Sequence, residues 1–477
     1  MKAVGFITEY NPFHNGHLLH LKKALELSGA DCSVAVMNGN FVQRGEPSII
    51  DKYSRAAMAV NCGVNLVVEL PSRYALGSAE KFAEGGILTL DKLEIDSVCF
   101  GSEIGHLSEL EEIAEMLASE SDKYQLALKK ELKSGNSFPL ARENALAGLN
   151  IMDKERLHEI LSSSNNILGI EYLKAIKRNA CHMKAYTYKR EGMGYKETFD
   201  SVSDNVEAVE GMGDTAFASA TALREEVYKT LCDNDDEARK RILSNMPQPS
   251  ADIFFKALEN KAPVFTEDFD IYFNTKFNQL LSEASYNKRE AAERLMEYEG
   301  FTENIANRLI NKYEKFMGIT EIIESVKDKS VTYTAIARAI FHFILNHKLI
   351  KNDFTNIVNS SPDQLSQEVD GMTIYDPDLD PELIVEGLDQ EEDDISYIRI
   401  LACDDKGKEY LSQIRKTCKV PLITKTAGFE ELLKDDIFAA DLYNLAIWDA
   451  YGTDMPDEFH KGIYIKDSGF TGERSEL

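Results

Sequence analysis

The sequence predicts an α/β protein: a doubly wound, parallel-sheet, Rossmann-like N-terminal domain, then a helical domain and a small α/β C-terminal domain. Three observations predict it. Short apolar runs alternate with helical patterns over roughly the first 200 residues, as in a parallel sheet covered by helices on both faces. From about Ala216 to Lys348 only helical spacing is left. After Ser396, strand and helix signals return.

Taken in order, Lys2 to Ile7, Ser33 to Met37, Leu66 to Leu70, Ser97 to Phe100 and Met183 to Lys189 are apolar runs of strand length. Between them Leu18 to Leu27, Lys52 to Cys62, Ala79 to Lys92, Leu107 to Ser119 and Ile167 to Arg178 carry helical spacing. Ala218 to Leu231, Asp236 to Leu243, Lys288 to Glu299, Ala306 to Phe316 and Ala335 to Leu345 continue as helices. Ser396 to Leu401 and Pro421 to Thr424 predict strands around a helix at Lys408 to Thr417, with Ala439 to Ala450 a closing helix. The expected divisions are 1–215, 216–350, an acidic insertion at 351–395, and 396–477.

Composition bounds the function. With 43% hydrophobic and 28% charged residues, the chain is an ordinary globular protein. It has no apolar run long enough for a transmembrane helix and opens directly on a strand, so neither membrane span nor secretion signal is expected. Seven scattered cysteines without a CxxC pair suit reduced thiols in a cytoplasm. The net charge of -28 argues against nonspecific nucleic-acid binding, which depends on neutralising many phosphates. The acid is uneven, however: Asp353 to Asp394 holds fourteen Asp or Glu and no Lys or Arg. A local basic surface for RNA is therefore still open. The tail from Ser468 is polar and expected to fray.

The strongest chemical signal follows the first strand. In Asn11-Pro12-Phe13-His14-Asn15-Gly16-His17, two histidines flank a glycine where a turn feeds a helix. Gly16 lets backbone approach a ligand, and the helix N-terminus attracts phosphate. His14 and His17, three residues apart, can both face one phosphorus and stabilise the charge that builds on an α-phosphate under attack. The HxGH pattern points to nucleotidyl transfer. His20 stands one turn further on. Metal binding is the competing reading, but no Cys or carboxylate at ligand spacing accompanies the histidines, so no metal site is expected.

Other clusters fall at strand ends, where such sheets bind ligands. Phe100-Gly101-Ser102-Glu103 is a glycine turn suited to a ribose or base, or simply a turn. Asn38-Gly39-Asn40 leads through Gln43-Arg44-Gly45-Glu46-Pro47 to Asp51-Lys52; Lys52 or Arg55 could neutralise phosphate, while Asp51 is the expected helix cap. At Ser163-Ser164-Asn165-Asn166, one Asn could cap and the other bind. Lys189-Arg190 brings a guanidinium to the ligand side. Ser219-Ala220-Thr221-Ala222-Leu223-Arg224 offers a second anion cradle or a capping box.

HxGH, a distant [ST]-x-[IL]-R helix start and a doubly wound sheet together resemble the HIGH-type nucleotidyltransferase superfamily. Thr8-Glu9-Tyr10-Asn11-Pro12-Phe13-His14-Asn15-Gly16-His17, Gly39 through Pro47, Asn165 through Tyr172, Phe217 through Thr221 and Tyr397 through Leu401 narrow this. They resemble the bacterial tRNA(Met) cytidine acetate ligase family over most of the chain. That resemblance implies a reaction in which ATP and acetate form acetyl-adenylate and pyrophosphate. The acetyl group then passes to the exocyclic amine of the wobble cytidine of elongator tRNA(Met). It also implies ATP contacts at Ile7, Thr8, Glu9, Tyr10, Asn11, Pro12, Phe13, His14, Asn15, Gly16, His17, His20, Gly101, Asn165 and Arg190. The superfamily's consecutive Ser-Ser-Thr is broken here by Ala220, leaving Ser219, Thr221 and Arg224.

Such chemistry needs positioning and charge stabilisation rather than a protein nucleophile. His14 and His17 would serve the α-phosphate, and Lys52, Arg190 or Arg224 the rest of the triphosphate. Mg²⁺ is expected to accompany ATP, held mainly by phosphates and water. The anticodon must present an unstacked base. Lys174, Lys177, Arg178 and Lys184, then Lys406, Lys408, Arg415, Lys416 and Lys419, are the expected basic surface. Two rivals stand beside this reading: adenylation of a phosphorylated vitamin precursor, and a non-catalytic RNA-binding protein with a relic nucleotide site.

Overall fold

In a computed structural model of the chain, the described residues are 1–190 apart from 120, 137 and 150, and 220–349 apart from 234, 235, 261, 262 and 330. A strand pair at 368–369 and 372–373 and residues 395–466 complete them. The expected acidic insertion, the C-terminal tail and Ser219 lie outside them, save for that strand pair, β8 (Glu368–Val369) and β9 (Met372–Thr373).

The centre is one eight-stranded sheet. Five parallel strands make its body: β1 (Ala3–Thr8), β2 (Cys32–Asn38), β5 (Leu66–Leu70), β6 (Ser97–Ser102) and β7 (Lys184–Lys189), in the order β5-β2-β1-β6-β7. Between β2 and β5 a two-stranded hairpin, β3 (Phe41–Val42) with β4 (Glu46–Pro47), stands outside this sheet. Helices α1 (Asn15–Ser28) and α2 (Lys52–Asn61) pack on one face. On the other lie α4 (Ala79–Lys92), reached through the short α3 (Ser72–Ala75), and α5 (Leu107–Ser119). Helices α6 (Asp122–Lys133), α7 (Phe138–Ala147), α8 (Lys154–Leu161) and α9 (Ser164–Arg178) follow on that second face. The connections change face between β1 and β6, which makes a crevice at the carboxyl ends of those two strands.

The C-terminal part does not form a sheet of its own. β10 (Ile398–Asp404) pairs antiparallel with β5, and β11 (Leu422–Ile423) and β12 (Tyr464–Lys466) pair with β10. Leu66-Val67-Val68-Glu69-Leu70 is buried throughout, so its outer edge needs a hydrogen-bonding partner, and β10 supplies it. Helix α18 (Asp405–Ile414) follows β10.

The helical region divides in two. α10 (Ala220–Asp233), α11 (Asp236–Asn245) and α12 (Gln248–Glu259) join the sheet core on the side of α1 and α2. α13 (Asp270–Glu283), α14 (Lys288–Leu295), α15 (Glu303–Lys312), α16 (Ile319–Val326) and α17 (Tyr333–Ile344) build a separate apolar core. It is closed by α19 (Lys434–Tyr451), which contributes Ala439, Tyr443 and Ile447.

Candidate active site

The chain leaves β1 through Tyr10, whose φ of 46° bends it sharply, and reaches α1 at His14. His14 is the N-cap of α1: its Nδ1 accepts from Gly16 N at 3.1 Å, and His17 Nδ1 accepts from His14 N at 3.2 Å. A backbone N–H can only donate, so both Nδ1 atoms are acceptors. A Cβ on Gly16 would lie 2.8 Å from His14 Cε1, so a side chain there would push the ring off its cap. The rings stand 3.9 Å apart, and Tyr10 and Phe13 pack on His17.

Burial, reinforced by Arg190, lowers the His14 pKa to about 3; burial, His14 and Arg190 hold His17 well below its usual value. Both rings are neutral near pH 7, and with Nδ1 accepting, the proton of each sits on Nε2. Each ring thus offers one N–H donor beside a helix N-terminus. His20 differs. Its Nδ1 meets Tyr188 Oη at 3.0 Å, the ring contacts Phe6, and burial lowers its pKa to about 4 although a bond to the Cys99 backbone opposes the shift. It packs the wall of the site.

On the β6–β7 side, Glu103 organises the opening turn of α9. Its carboxylate accepts from Asn165 Nδ2 at 2.8 Å, from Asn165 N at 3.2 Å and from Asn166 N at 2.8 Å. That fixes the Asn165 amide, whose Oδ1 accepts from Arg190 Nη1 at 2.7 Å. Asn166 is fully buried: its Oδ1 accepts from Glu103 N and Ile104 N, and its Nδ2 donates to Ile160 O. Of the two asparagines, Asn166 ties α9 to β6 and Asn165 faces the site. Gly101 lies under Arg190; a Cβ there would stand 2.7 Å from Arg190 Cγ. Glu103 carried no role in the sequence reading, although its place just past a strand end was the available signal.

The helical region clamps the histidine turn from above. Ser250 Oγ donates to Phe13 O at 2.7 Å, Asn15 Nδ2 to Ser244 O at 3.2 Å, and Arg224 Nη1 to Asn11 O at 3.1 Å, while Arg224 Nη2 pairs with Glu46 at 2.6 Å. Thr221 Oγ1 and Asn11 Nδ2 are buried without a partner there. Glu9 is half-buried; desolvation of its carboxyl raises its pKa, and it accepts from Gln43 N at 3.0 Å.

Several expected residues are elsewhere. Lys52 does not reach the histidine turn: its Nζ is 2.7 Å from Glu69 Oε2 and 3.1 Å from Glu458 Oε2, with the side chain 2% exposed. Burial works against its charge, but Glu458 and Glu69 outweigh this and raise its pKa. Arg55, also buried, spends its guanidinium on the carbonyls of Ile50, Glu9, Asn38 and Gly39. Asp51 is the helix cap, as expected.

The residues expected to form basic surfaces are placed as follows. Lys174 is buried against Glu80 and Glu171, Lys177 pairs with Glu115, and Arg178 with Glu80; carboxylates from neighbouring helices neutralise this face. Lys406 donates to Asp31 O, Tyr410 to Leu93 O, and Gln413 accepts from the N-terminal amine. α18, which carries Lys406 and Lys408 and leads to Arg415 and Lys416, therefore lies at the amino ends of the strands, opposite the histidines.

A model of the family described as HIGH Nucleotidyl Transferase matches residues 1–373 and 383–455. The chain is 35% identical to the tRNA(Met) cytidine acetate ligase of Thermoanaerobacter sp. (strain X514), over 94% of this chain and 96% of that protein. It is 33% identical to the protein of the same name from Acetivibrio thermocellus, over 98% and 100%. Among solved structures, Thermotoga maritima TmcAL bound with alpha-thio ATP superposes with a TM-score of 0.75 at 27% identity. That match covers 98% of this chain and 100% of that one.

Proposed function

We propose an activity from one premise: the chain belongs to the HIGH Nucleotidyl Transferase family and, within it, to the tRNA(Met) cytidine acetate ligases. It activates acetate with ATP and acetylates the exocyclic amine of the wobble cytidine of elongator tRNA(Met). One observation supports this reading most: two neutral rings, each fixed through Nδ1, present Nε2–H donors at a helix N-terminus.

Acetate is a poor acyl donor because oxide would have to leave. Its carboxylate oxygen attacks the α-phosphorus, the bond to the β-phosphate oxygen breaks, and pyrophosphate departs with that electron pair. The imidazole donors stabilise the charge spread over the α-phosphate oxygens. Being neutral, they do so without first giving up a salt bridge. Gly101 and Asn165 line the nucleoside side, and Arg190 offsets triphosphate charge. The cytidine amine then attacks the acetyl carbonyl and AMP leaves.

Among the described residues no group of three or more His, Cys, Asp or Glu is arranged to hold a metal ion. Mg²⁺ brought with ATP would be held by phosphate oxygens and water. No helix of the described residues is long and apolar enough to cross a membrane. The tRNA substrate of the proposed reaction puts the protein in the cytoplasm. The test is transfer of radiolabelled acetate to purified tRNA(Met) in the presence of ATP. Label in the cytidine is expected; ATP consumption that needs a phosphomonoester instead of acetate would favour the vitamin-precursor reading and overturn this one.

A further inference from the structure

The RNA still lacks a surface, since the basic residues expected to hold it are neutralised or at the wrong end of the sheet. A third cationic cluster stands beside the histidine turn, at the hairpin turn Gln43-Arg44-Gly45 and the start of β4 at Glu46. The β3–β4 hairpin lies flat on α17. Gly45 has φ +75°, and a Cβ there would be 2.4 Å from Arg338 N and 2.5 Å from Ala337 C. Gln43 fastens both ends: its N–H donates to Glu9, and its carbonyl accepts from Arg338 Nη1 at 3.3 Å. Glu9 lies five residues before His14, so the hairpin is built into the same turn that carries the catalytic rings.

The charge balance is unusual for this chain. Arg44, Arg224 and Arg338 gather around two carboxylates, Glu9 and Glu46. Three guanidinium groups against two carboxylates leave the cluster net positive in a protein of charge -28. Elsewhere at this end the cations are spent on carboxylates, as in Lys52–Glu69, Lys174–Glu171 and Arg178–Glu80. Arg338 has no carboxylate within ion-pair distance among the described residues; its one hydrogen bond goes to a neutral carbonyl. Burial lowers its pKa with no acid to oppose it. A half-buried guanidinium left so is an anion site.

We infer that Arg338 and Arg44 bind backbone phosphates of the tRNA anticodon beside the target cytidine. The inference rests on the activity proposed above. RNA rather than ATP fits the placement. The nucleotide side of the crevice is β6–β7, with Gly101, Asn165 and Arg190, whereas the hairpin stands beyond β2 against the helical region. A phosphate gripped there leaves the neighbouring base free to reach the adenylate between the two sides.

Arg338→Gln and Arg44→Gln, made separately, test this against acetate-dependent ATP–pyrophosphate exchange without tRNA, and against binding of unmodified tRNA(Met) at several salt concentrations. Each variant should keep exchange and the ATP KM within about twofold. Each should bind tRNA roughly tenfold more weakly, with a salt slope shallower by about 0.7, the share of one phosphate on a single strand. Arg338→Lys should restore most of the slope. Unchanged tRNA affinity in both Gln variants overturns the inference. So does a raised ATP KM with normal tRNA affinity, which would assign the arginines to the triphosphate. Absence of acetate-dependent exchange in the unmutated protein would instead sink the proposed activity. Arg44 projects from the hairpin rather than from α17, so it keeps the test informative should Arg338→Gln fail to fold.

Discussion

Two polar centres lie at the carboxyl ends of β1 and β5, on either side of β2, and they use their charges in opposite ways. At β5, Lys52 is enclosed by Glu69 and Glu458, while Arg399 donates to Tyr53 Oη and Thr426 Oγ1 at 3.1 Å each. Burial raises the Glu69 pKa to about 7 against the pull of Lys52. At β1 the groups are two neutral rings, each fixed through Nδ1, beside Arg190, which is held by the Asn165 amide rather than by a carboxylate. The comparison teaches that residue type at a strand end does not make a ligand site. What matters is whether the protein has already satisfied the group. Lys52 holds the C-terminal segment to the sheet; His14 and His17 are held by their backs and keep a donor free.

The first way to break this contrast is Lys52→Met. Leaving Glu69 and Glu458 buried without their cation should cost about 3–5 kcal/mol of stability, read by urea unfolding, while the ATP KM of the folded enzyme stays the same. A raised KM at unchanged stability would return Lys52 to the phosphate site. The second is His14→Asn. Asn caps helices well, so α1 should survive with little change in Tm, yet removing one charge-stabilising donor should slow adenylate formation by roughly 10²–10³. His17→Ala should do the same. Normal pyrophosphate release in either variant removes the assigned role.

Asn165→Ala sharpens the comparison within the site. Loss of a hydrogen bond to a charged group predicts an ATP KM roughly tenfold higher, with the acetate KM unmoved. Asn166→Ala should instead lower Tm. If the two phenotypes are exchanged, the division of labour at the start of α9 is wrong.

The smallest effect per group is in the pH dependence of stability. The folded pKa values of His14 and His20 lie near 3 and 4, and burial also drives His342 down to about 4. Below the unfolded value near 6.5 the unfolded chain therefore binds more protons. Stability from these rings is complete above that pH and declines as pH falls toward 4, by at most about 1.4 kcal/mol per ring per unit. Urea midpoints between pH 7 and 5 measure it; a midpoint that rises on acidification contradicts neutral burial.

Much of the sheet domain was legible because its signals are local. Leu66 to Leu70, Ala79 to Lys92 and Leu107 to Ser119 appear with the expected limits, and the HxGH string follows β1 and opens α1. What could not be read depends on partners far away in the chain. Nothing in Ser396 to Leu401 says that the strand completes the edge of β5, and nothing near Lys52 announces Glu458. α13 was not read as a helix: Ile271, Tyr272, Phe273, Thr275 and Phe277 favour strand, and only packing in the helical core settles the matter. α6, rich in Lys and Glu, shows too little apolar periodicity to stand out, and only Tyr124 of it is fully buried. At the candidate site, the histidines and Arg190 stand out in the sequence by their residue types and their places at strand ends. Glu103 and Ser250 act by orienting others, which a sequence does not display.

Nitrogen-15 NMR of the histidine rings at pH 7, with and without a non-hydrolysable ATP analogue, tests the central claim most directly. His14 and His17 should show a bare Nδ1 and a protonated Nε2 in the free protein, and the Nε2 protons should move when the analogue binds. Doubly protonated rings, a proton on Nδ1, or Nε2 signals indifferent to the nucleotide would contradict it.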